Sequence, residues 1–281
     1  MGTTNSFGGG GGKPGRVLRE DIADWLESLP NTPSVDKPVD PAKPDEPQEP
    51  AEQPQAELPR IPQESVLNVI SMFRPQSAGR GGGATGGAAL GGGTGSGGGR
   101  QSRGGAQRSA SRSASTAGRA AAAAYALRTG DAAALRALGL DYDQLQANPD
   151  PVDVARRIVA AACGPLSDGT IEDEERRMVA AELAQWVLEA NAGGVAPQPD
   201  EIVREAITLI LFEAATTETA AELRNGKRPA WATQEGERQI RECAAALAEN
   251  AELSPQGPTV EDFERAIEQG IETLRGIWET S

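Results

Sequence analysis

Glycine and proline are concentrated in the first 118 residues of this 281-residue chain, and this asymmetry limits where a folded core can form. That part holds 23 of the 34 Gly and 12 of the 20 Pro, whereas residues 119–281 hold only 11 Gly and 8 Pro. Segments rich in Gly, Pro and polar residues bury too little apolar surface to offset the chain entropy lost on folding. We therefore expect one compact domain, at residues 119–281, preceded by a long and largely disordered N-terminal region.

The composition also limits the chemistry that the chain can perform. It contains no His, which excludes Ser-His-Asp triads, Cys-His dyads and imidazole zinc ligands. Its two Cys, Cys163 and Cys243, are too few for a structural zinc site and do not indicate a disulfide framework. We expect a non-enzymatic protein with no catalytic residue, no metal and no cofactor.

Charge and hydropathy indicate the environment and the kind of partner. Residues 119–281 carry 15 basic and 29 acidic side chains, which accounts for the whole net charge of −14. Such an acidic domain favours a basic protein partner and repels nucleic acid in general. No run is apolar enough to span a membrane, and the polar, Gly-rich start lacks a secretory pattern, so we expect a cytoplasmic location with reduced Cys.

A short amphipathic helix is predicted at residues 17–29, after a flexible Gly-rich tail at residues 1–16. Its apolar positions recur at i, i+4, i+7, i+8 and i+11, namely Leu18, Ile22, Trp25, Leu26 and Leu29. A helix of this length is marginal alone in water, so its apolar stripe must be covered. Two coverings are open: the chain's own helical domain, or a groove on a partner with Trp25 as the anchor.

Two low-complexity segments complete the N-terminal region. Residues 30–63 form an acidic linker in which Pro recurs every three to five residues, a spacing that favours extended, polyproline-like chain. A short apolar helix is predicted at residues 64–74. Residues 75–118 form a Gly/Arg/Ser tract without any acidic side chain, which predicts disorder.

The Arg side chains of this tract give it a second interpretation. Arg in Gly/Ser-rich tracts contacts nucleic-acid backbones through charge-assisted hydrogen bonds and stacks on bases. The candidates for this role are Arg80, Arg100, Arg103, Arg108 and Arg112. The tract has no aromatic residue, so stacking would depend on Arg alone. A soluble spacer explains the same composition, and nucleic-acid binding is the less favoured alternative.

The remaining sequence predicts an all-α fold, a compact bundle of five to seven helices. Helix starts are marked by Pro151, by the capping box Thr170-x-x-Asp173 and by Pro199. The apolar run Ile207–Phe212 indicates the most buried helix. No alternating β-branched run predicts a strand.

The order of these parts is distinctive. A Met-Gly-Thr start and a Gly run are followed by a Trp-bearing segment, a Pro-rich linker, a Gly/Arg tract and an acidic helical domain with a DGT-[IL]-[DE]-[DE]-E motif. In this architecture the chain resembles the QatB proteins of the bacterial Qat anti-phage defence systems. The residues that carry the resemblance are Met1 to Ser6, Gly8 to Gly12, Trp25-Leu26 and Asp168 to Glu174.

The resemblance implies a component of a four-part defence system. Its other members are an ATPase, a protein like the deazapurine enzyme QueC and a TatD-like nuclease, and the QueC-like protein is the expected direct partner. Removal of Met1 would leave Gly2 with an unhindered amine, whose pKa of about 8 keeps part of it nucleophilic at pH 7. Gly2 is therefore the expected modification site.

The expected partner contacts lie in the tail and in the amphipathic helix: Thr3, Thr4, Ser6, Leu18, Ile22, Trp25 and Leu26. Under the main hypothesis, the chain binds partners through its helical domain and offers its N-terminus as a substrate or recognition peptide for the QueC-like protein. The alternatives are an assembly adaptor with an unmodified tail, and a nucleic-acid-associated protein that uses the Arg/Gly tract.

Overall fold

The computed structural model describes residues 12–30, 58–74, 108–164, 170–190, 195–225, 228–253 and 257–280. Within them, ten α-helices follow one another: α1 (Gly12–Ser28), α2 (Gln63–Leu67), α3 (Ala110–Thr129), α4 (Ala132–Ala137), α5 (Tyr142–Gln146), α6 (Pro151–Cys163), α7 (Ile171–Glu189), α8 (Pro199–Leu223), α9 (Ala230–Glu249) and α10 (Val260–Thr280). A 3₁₀ helix at Asn68–Met72 extends α2. Two-residue strands, β1 (Phe73–Arg74) and β2 (Arg108–Ser109), pair in parallel with Phe73 opposite Arg108.

The predicted all-α bundle is confirmed. Six helices of 13 to 25 residues build it, namely α3, α6, α7, α8, α9 and α10. The central element is α8, which contacts α1, α3, α7, α9 and α10. Its side chains Ile202, Ile207 and Leu211 are fully buried, so the apolar run that indicated the most buried helix lies in the core.

Side-chain caps fix several helix starts where the sequence predicts them. The Thr170 hydroxyl accepts a hydrogen bond from the Asp173 amide at 3.2 Å, and the Asp173 carboxylate accepts one from the Thr170 amide at 3.3 Å, which confirms the capping box of α7. Asp150 caps α6, with Pro151 in its first turn. Caps of this kind contribute about 1 kcal/mol each.

The compositional boundary at residue 118 is wrong, because α3 begins at Ala110 inside the predicted disordered tract. Ala114, Ala117 and Gly118 are buried there. A Cβ at Gly118 would lie 2.8 Å from the backbone nitrogen of Glu264, so the small residues let α3 and α10 approach closely. The prediction relied on large apolar side chains to mark a buried helix, whereas the first half of α3 is buried through close packing of its backbone on α10.

The first helix also begins earlier than predicted. The Gly run and Pro14 predicted an extended tail to residue 16, whereas α1 starts at Gly12. Pro14 lies in the first turn, where its missing N–H breaks no helical hydrogen bond. No helix among the described residues is both long and apolar enough to cross a membrane.

Candidate functional site

The apolar face of α1 is inserted into the core of the bundle. Leu18 and Ile22 are fully buried, and Trp25 and Leu26 are no more than 4% exposed. The helix packs on α8, α9 and α2 and on the 3₁₀ helix Asn68–Met72. We call this docking surface the α1 seat. Burying four large apolar side chains stabilises the docked helix by about 1.5–3 kcal/mol for each of them.

Trp25 of α1 and Gln239 of α9 both bind the segment that precedes α2. The Trp25 indole donates a hydrogen bond to the Pro59 carbonyl at 2.7 Å. Gln239 on α9 accepts from the Ile61 amide at 2.8 Å and donates to the Pro59 carbonyl at 3.2 Å. Its amide also donates to Glu235 at 2.7 Å. A buried Gln with every polar group occupied ties residues 59–61 and α1 to the same helix.

Charges around this contact are compensated locally. The Arg238 guanidinium holds the pKa of Glu235 below its ordinary value, because it donates hydrogen bonds to the carboxylate. Nearby, the Cys243 thiol lies 3.7 Å from the Ile61 carbonyl, and burial raises its pKa. The thiol is therefore held in its neutral, weakly reactive form.

A second set of contacts fixes the first turns of α1 against the C-terminal half of α8. Arg19 donates to the Glu218 carboxylate and lies 3.9 Å from Glu222. A Cβ at Gly15 would lie 2.5 Å from the Glu218 carboxylate, so Gly15 leaves room for that side chain. The first turns of α1 therefore lie beside Glu218.

The segment after the linker completes the same core. Val66 and Ile70 are fully buried, and the Trp278 indole of α10 donates to the Asn68 side chain at 3.3 Å. The strand Phe73–Arg74 then pairs with Arg108–Ser109 directly before α3. The predicted short apolar helix at residues 64–74 thus holds α1 and α10 together.

The structure decides between the two coverings of the amphipathic helix. Leu18, Ile22, Trp25 and Leu26 contact the chain's own core, so their predicted role as partner contacts is wrong for this conformation. A side chain that is already covered by α8 and α9 cannot anchor the helix in a partner's groove. The other expected partner contacts and the modification site lie outside the described residues: Gly2, Thr3, Thr4 and Ser6.

The predicted nucleic-acid residues are not brought together by the described part of the chain. Arg80, Arg100 and Arg103 lie outside it, and Arg108 belongs to β2. Arg112 is exposed on the first half of α3. It lies on an ordered helix, whereas the prediction placed it in a disordered tract.

The α1 seat depends on residues that the sequence analysis did not select. Gln239, Glu218 and Pro59 provide its polar contacts. Gln239 had a detectable signal, since it lies within the apolar stripe of α9 next to Ile240 and one turn before Cys243. A polar residue in such a stripe needs a buried partner.

Within the described residues, no group of three or more His, Cys, Asp or Glu side chains is arranged to hold a metal ion. The contacts at the α1 seat hold α1 against α8, α9 and the segment that precedes α2. Comparisons of the chain with protein-family models, with curated proteins and with solved structures found no match.

Proposed function

We propose that this chain is a non-enzymatic, partner-binding component of a bacterial anti-phage defence system, and that its helical bundle presents the N-terminal segment to a QueC-like protein. The observation that carries the proposal is the α1 seat. Trp25, bonded to Pro59, and Arg19, bonded to Glu218, hold α1 against the bundle. The first turns of α1, to which residues 1–11 are attached, are therefore fixed beside α8.

A fixed attachment point makes a tail an efficient ligand. Eleven residues reach at most about 36–40 Å when fully extended, so the tail can enter a cleft on a partner that is bound to the bundle. The second binding event then becomes intramolecular, with an effective concentration set by the short tether. The Gly run Gly8–Gly12 supplies small residues that allow close approach of the backbone inside such a cleft.

The chemistry of Gly2 fits an enzyme that activates carboxylates. QueC-type enzymes adenylate a carboxylate on a deazaguanine and attack it with ammonia, and the QueC-like partner would accept the Gly2 amine in place of ammonia. The neutral amine of Gly2 would attack the acyl carbon, AMP would leave, and the amine would lose a proton as the amide bond forms. With a pKa of about 8, the amine is more available at pH 7 than a Lys amine with a pKa of about 10.4.

The test is the intact mass and the N-terminal peptide mass of the full chain after co-expression with its genomic neighbours. We expect an adduct on Gly2 that disappears when the QueC-like neighbour is deleted. Gly2→Leu should abolish the adduct because a bulky second residue retains Met1. Gly2→Ala is the matched control, since it permits removal of Met1 and keeps an accessible amine.

Two other outcomes separate the alternatives. An unmodified Gly2 in a chain that still co-purifies with its partners would reduce the protein to an assembly adaptor. An unmodified Gly2 without any co-purifying partner would overturn the proposal. Deletion of residues 1–11 tells whether the tail contributes to complex formation, because α1 and its seat remain intact in that variant.

A further inference from the structure

A cleft between α3, α6 and α7, distant in sequence from the α1 seat, concentrates positive charge in an acidic chain. Its volume is about 220 Å³. Its charged lining consists of four Arg and one Asp, namely Arg112, Arg119, Asp173, Arg176 and Arg177. We call it the arginine cleft. Cys163, the last residue of α6, and the hydroxyl residues Ser115 and Thr116 also line it.

These guanidinium groups come from two helices, α3 and α7, that both line the cleft. Arg112 and Arg119 are seven residues apart on α3, so they lie on the same face two turns from each other. Arg176 and Arg177 belong to the second turn of α7. Burial raises the pKa of the Cys163 thiol, and the charges of Arg177, Arg176 and Arg119 oppose that increase.

Part of this charge is not neutralised by any of the described residues. Arg176 is paired with Asp173 and lies 3.8 Å from Glu172. The side chains of Arg119 and Arg177 make no ion pair or hydrogen bond to any other residue in the described ranges. Two uncompensated cations that face one concave space repel each other, and an anion between them removes that repulsion.

Larger grooves elsewhere on the molecule lack this property. One groove of about 630 Å³ along α9 contains Arg60 and Arg238 together with Glu235 and Glu242. Another groove, of about 500 Å³ beside α5, contains Arg157 and Asp141. Their charges are balanced, and Arg157 is also paired with Asp153 at 2.9 Å. Of these three described grooves, the arginine cleft alone has an excess of positive charge.

We propose that the arginine cleft binds the phosphate group of a small phosphorylated molecule. A bidentate guanidinium fork engages both oxygens of a carboxylate and leaves only part of its acceptor capacity for a second Arg. A phosphate has more acceptor oxygens, arranged tetrahedrally, and can accept hydrogen bonds from Arg119 on α3 and Arg177 on α7 at the same time. Bridging the two helices therefore favours a phosphate over a carboxylate.

The size of the cleft and the charge of the chain exclude a macromolecular polyanion as the favoured ligand. Pockets that enclose a drug-sized molecule measure about 300–1,000 Å³, so this cleft takes the anionic group and leaves the rest of the ligand outside. A nucleic acid extends well beyond the cleft and meets the repulsion of a chain with net charge −14. A phosphate or diphosphate group is small enough to contact only the cleft, and so it avoids the repulsion of the rest of the acidic chain.

The two Cys make the proposal measurable in the full chain. Cys163 lines the arginine cleft, whereas Cys243 lies beside Ile61 on α9 and serves as an internal reference. Alkylation by iodoacetamide is followed at each Cys by peptide mass spectrometry, with inorganic pyrophosphate as the probe and chloride at equal ionic strength as the blank. We expect saturating pyrophosphate to slow alkylation of Cys163 by about threefold or more, with the rate at Cys243 unchanged.

Variants assign this protection to the cleft. The double variant R119Q/R177Q should raise the half-protecting concentration of pyrophosphate about tenfold or more, since two charge-assisted contacts are lost. R119K/R177K keeps the charge but loses the planar forks, so an intermediate value is expected. R136Q removes one positive charge from α4, outside the cleft, and should match the wild type. Protection is compared as a ratio with and without pyrophosphate, which corrects for altered basal reactivity of Cys163.

The proposal is overturned if pyrophosphate slows both Cys equally, if it protects neither, or if R119Q/R177Q retains wild-type protection. It is also overturned if a single-stranded oligonucleotide or an acidic peptide protects Cys163 and pyrophosphate does not. Circular dichroism of each variant establishes that the fold is retained. Because the side chains of Arg119 and Arg177 have no partner among the described residues, their replacement leaves none of the described charges without its partner.

Discussion

At the scale of single residues, Gly118 and Gly276 form a matched pair that measures how closely α3 and α10 approach each other. A Cβ at Gly118 would lie 2.8 Å from a backbone atom of α10, whereas a Cβ at Gly276 would meet no atom within 4 Å. We expect Gly118→Ala to lower the free energy of unfolding by about 1–3 kcal/mol, because backbone must move. Gly276→Ala should raise it by about 0.5–1 kcal/mol, the usual gain in an exposed helix. Urea unfolding measures both, and equal effects would contradict this packing.

A second residue, Glu268 on α10, should make the stability depend on pH. Burial raises the pKa of this carboxyl, with contributions from the like charges of Glu272 and Glu264. One of its oxygens is buried without a hydrogen-bond partner among the described residues. A raised pKa in the folded state adds stability below the ordinary carboxyl pKa, and this stability is lost as the pH rises through the folded value.

Glu268→Gln should therefore stabilise the protein at pH 7, and the gain should shrink as the pH falls through the raised pKa of the folded state and be gone below the ordinary pKa of a Glu side chain. Thermal unfolding at a series of pH values measures the difference from the wild type. Glu252→Gln removes the same charge from an exposed position and is the control. A gain for Glu268→Gln that is constant with pH would show that packing, and not ionisation, is responsible.

For the helices, the sequence predicts where each one begins and which face must be covered better than it predicts which part of the molecule covers that face. The caps and Pro residues that begin α6, α7 and α8 are local signals, and all three helices begin where these signals predict. The stripe on α1 predicts an apolar cover but not its source, because a stripe looks the same to a partner and to the chain's own core. The start of α3 has no stripe of large side chains, since its buried face consists of Ala and Gly.

Removal of the Trp25 side chain should undock α1 from the bundle. Trp25→Ala removes a side chain that is 4% exposed and leaves the Pro59 carbonyl with Gln239 as its donor, so we expect a loss of about 3–5 kcal/mol at the seat. A helix of 17 residues is marginal alone in water, so an undocked α1 should unfold readily. In the Trp25→Ala variant, the backbone amides of α1 should therefore exchange with solvent faster than those of α8. Hydrogen exchange with peptide mass spectrometry measures this, with the exposed neighbour Asp24→Ala as the control.

At the scale of the whole molecule, composition alone misplaces the boundary of the folded unit. Gly and Pro in residues 1–118 predict a region outside the core, yet Leu18, Ile22, Val66 and Ile70 in that region are fully buried. Short apolar segments between low-complexity segments can be integral parts of a distant core, because loop-closure entropy grows only slowly with loop length. The arginine cleft was missed for a related reason: Arg119 and Arg177 are 58 positions apart in sequence and meet only through the packing of α3 on α7.

If residues 12–74 are part of the folded unit, removal of residues 1–107 should destabilise the bundle, whereas shortening of residues 75–107 should not. A chain of residues 108–281 lacks α1, α2 and the 3₁₀ helix, and uncovers the surfaces of α8, α9 and α10 on which they pack. We expect this fragment to unfold at a lower temperature and to bind a hydrophobic dye. Adding a peptide of residues 12–74 should reverse both effects, since it restores the same buried contacts.

Replacement of residues 75–107 by a Gly/Ser linker of about twelve residues should instead leave the folded unit intact. Phe73 pairs with Arg108 across neighbouring strands, so the ends to be joined lie only about 5 Å apart in the hydrogen-bonding direction. Shortening the loop from 33 residues to about twelve changes the closure entropy by less than about 1 kcal/mol. Differential scanning calorimetry of the two variants distinguishes the outcomes. A stable fragment 108–281 would mean that α1 and α2 only decorate the bundle, and the fixed attachment point of the N-terminal segment would then lose its physical basis.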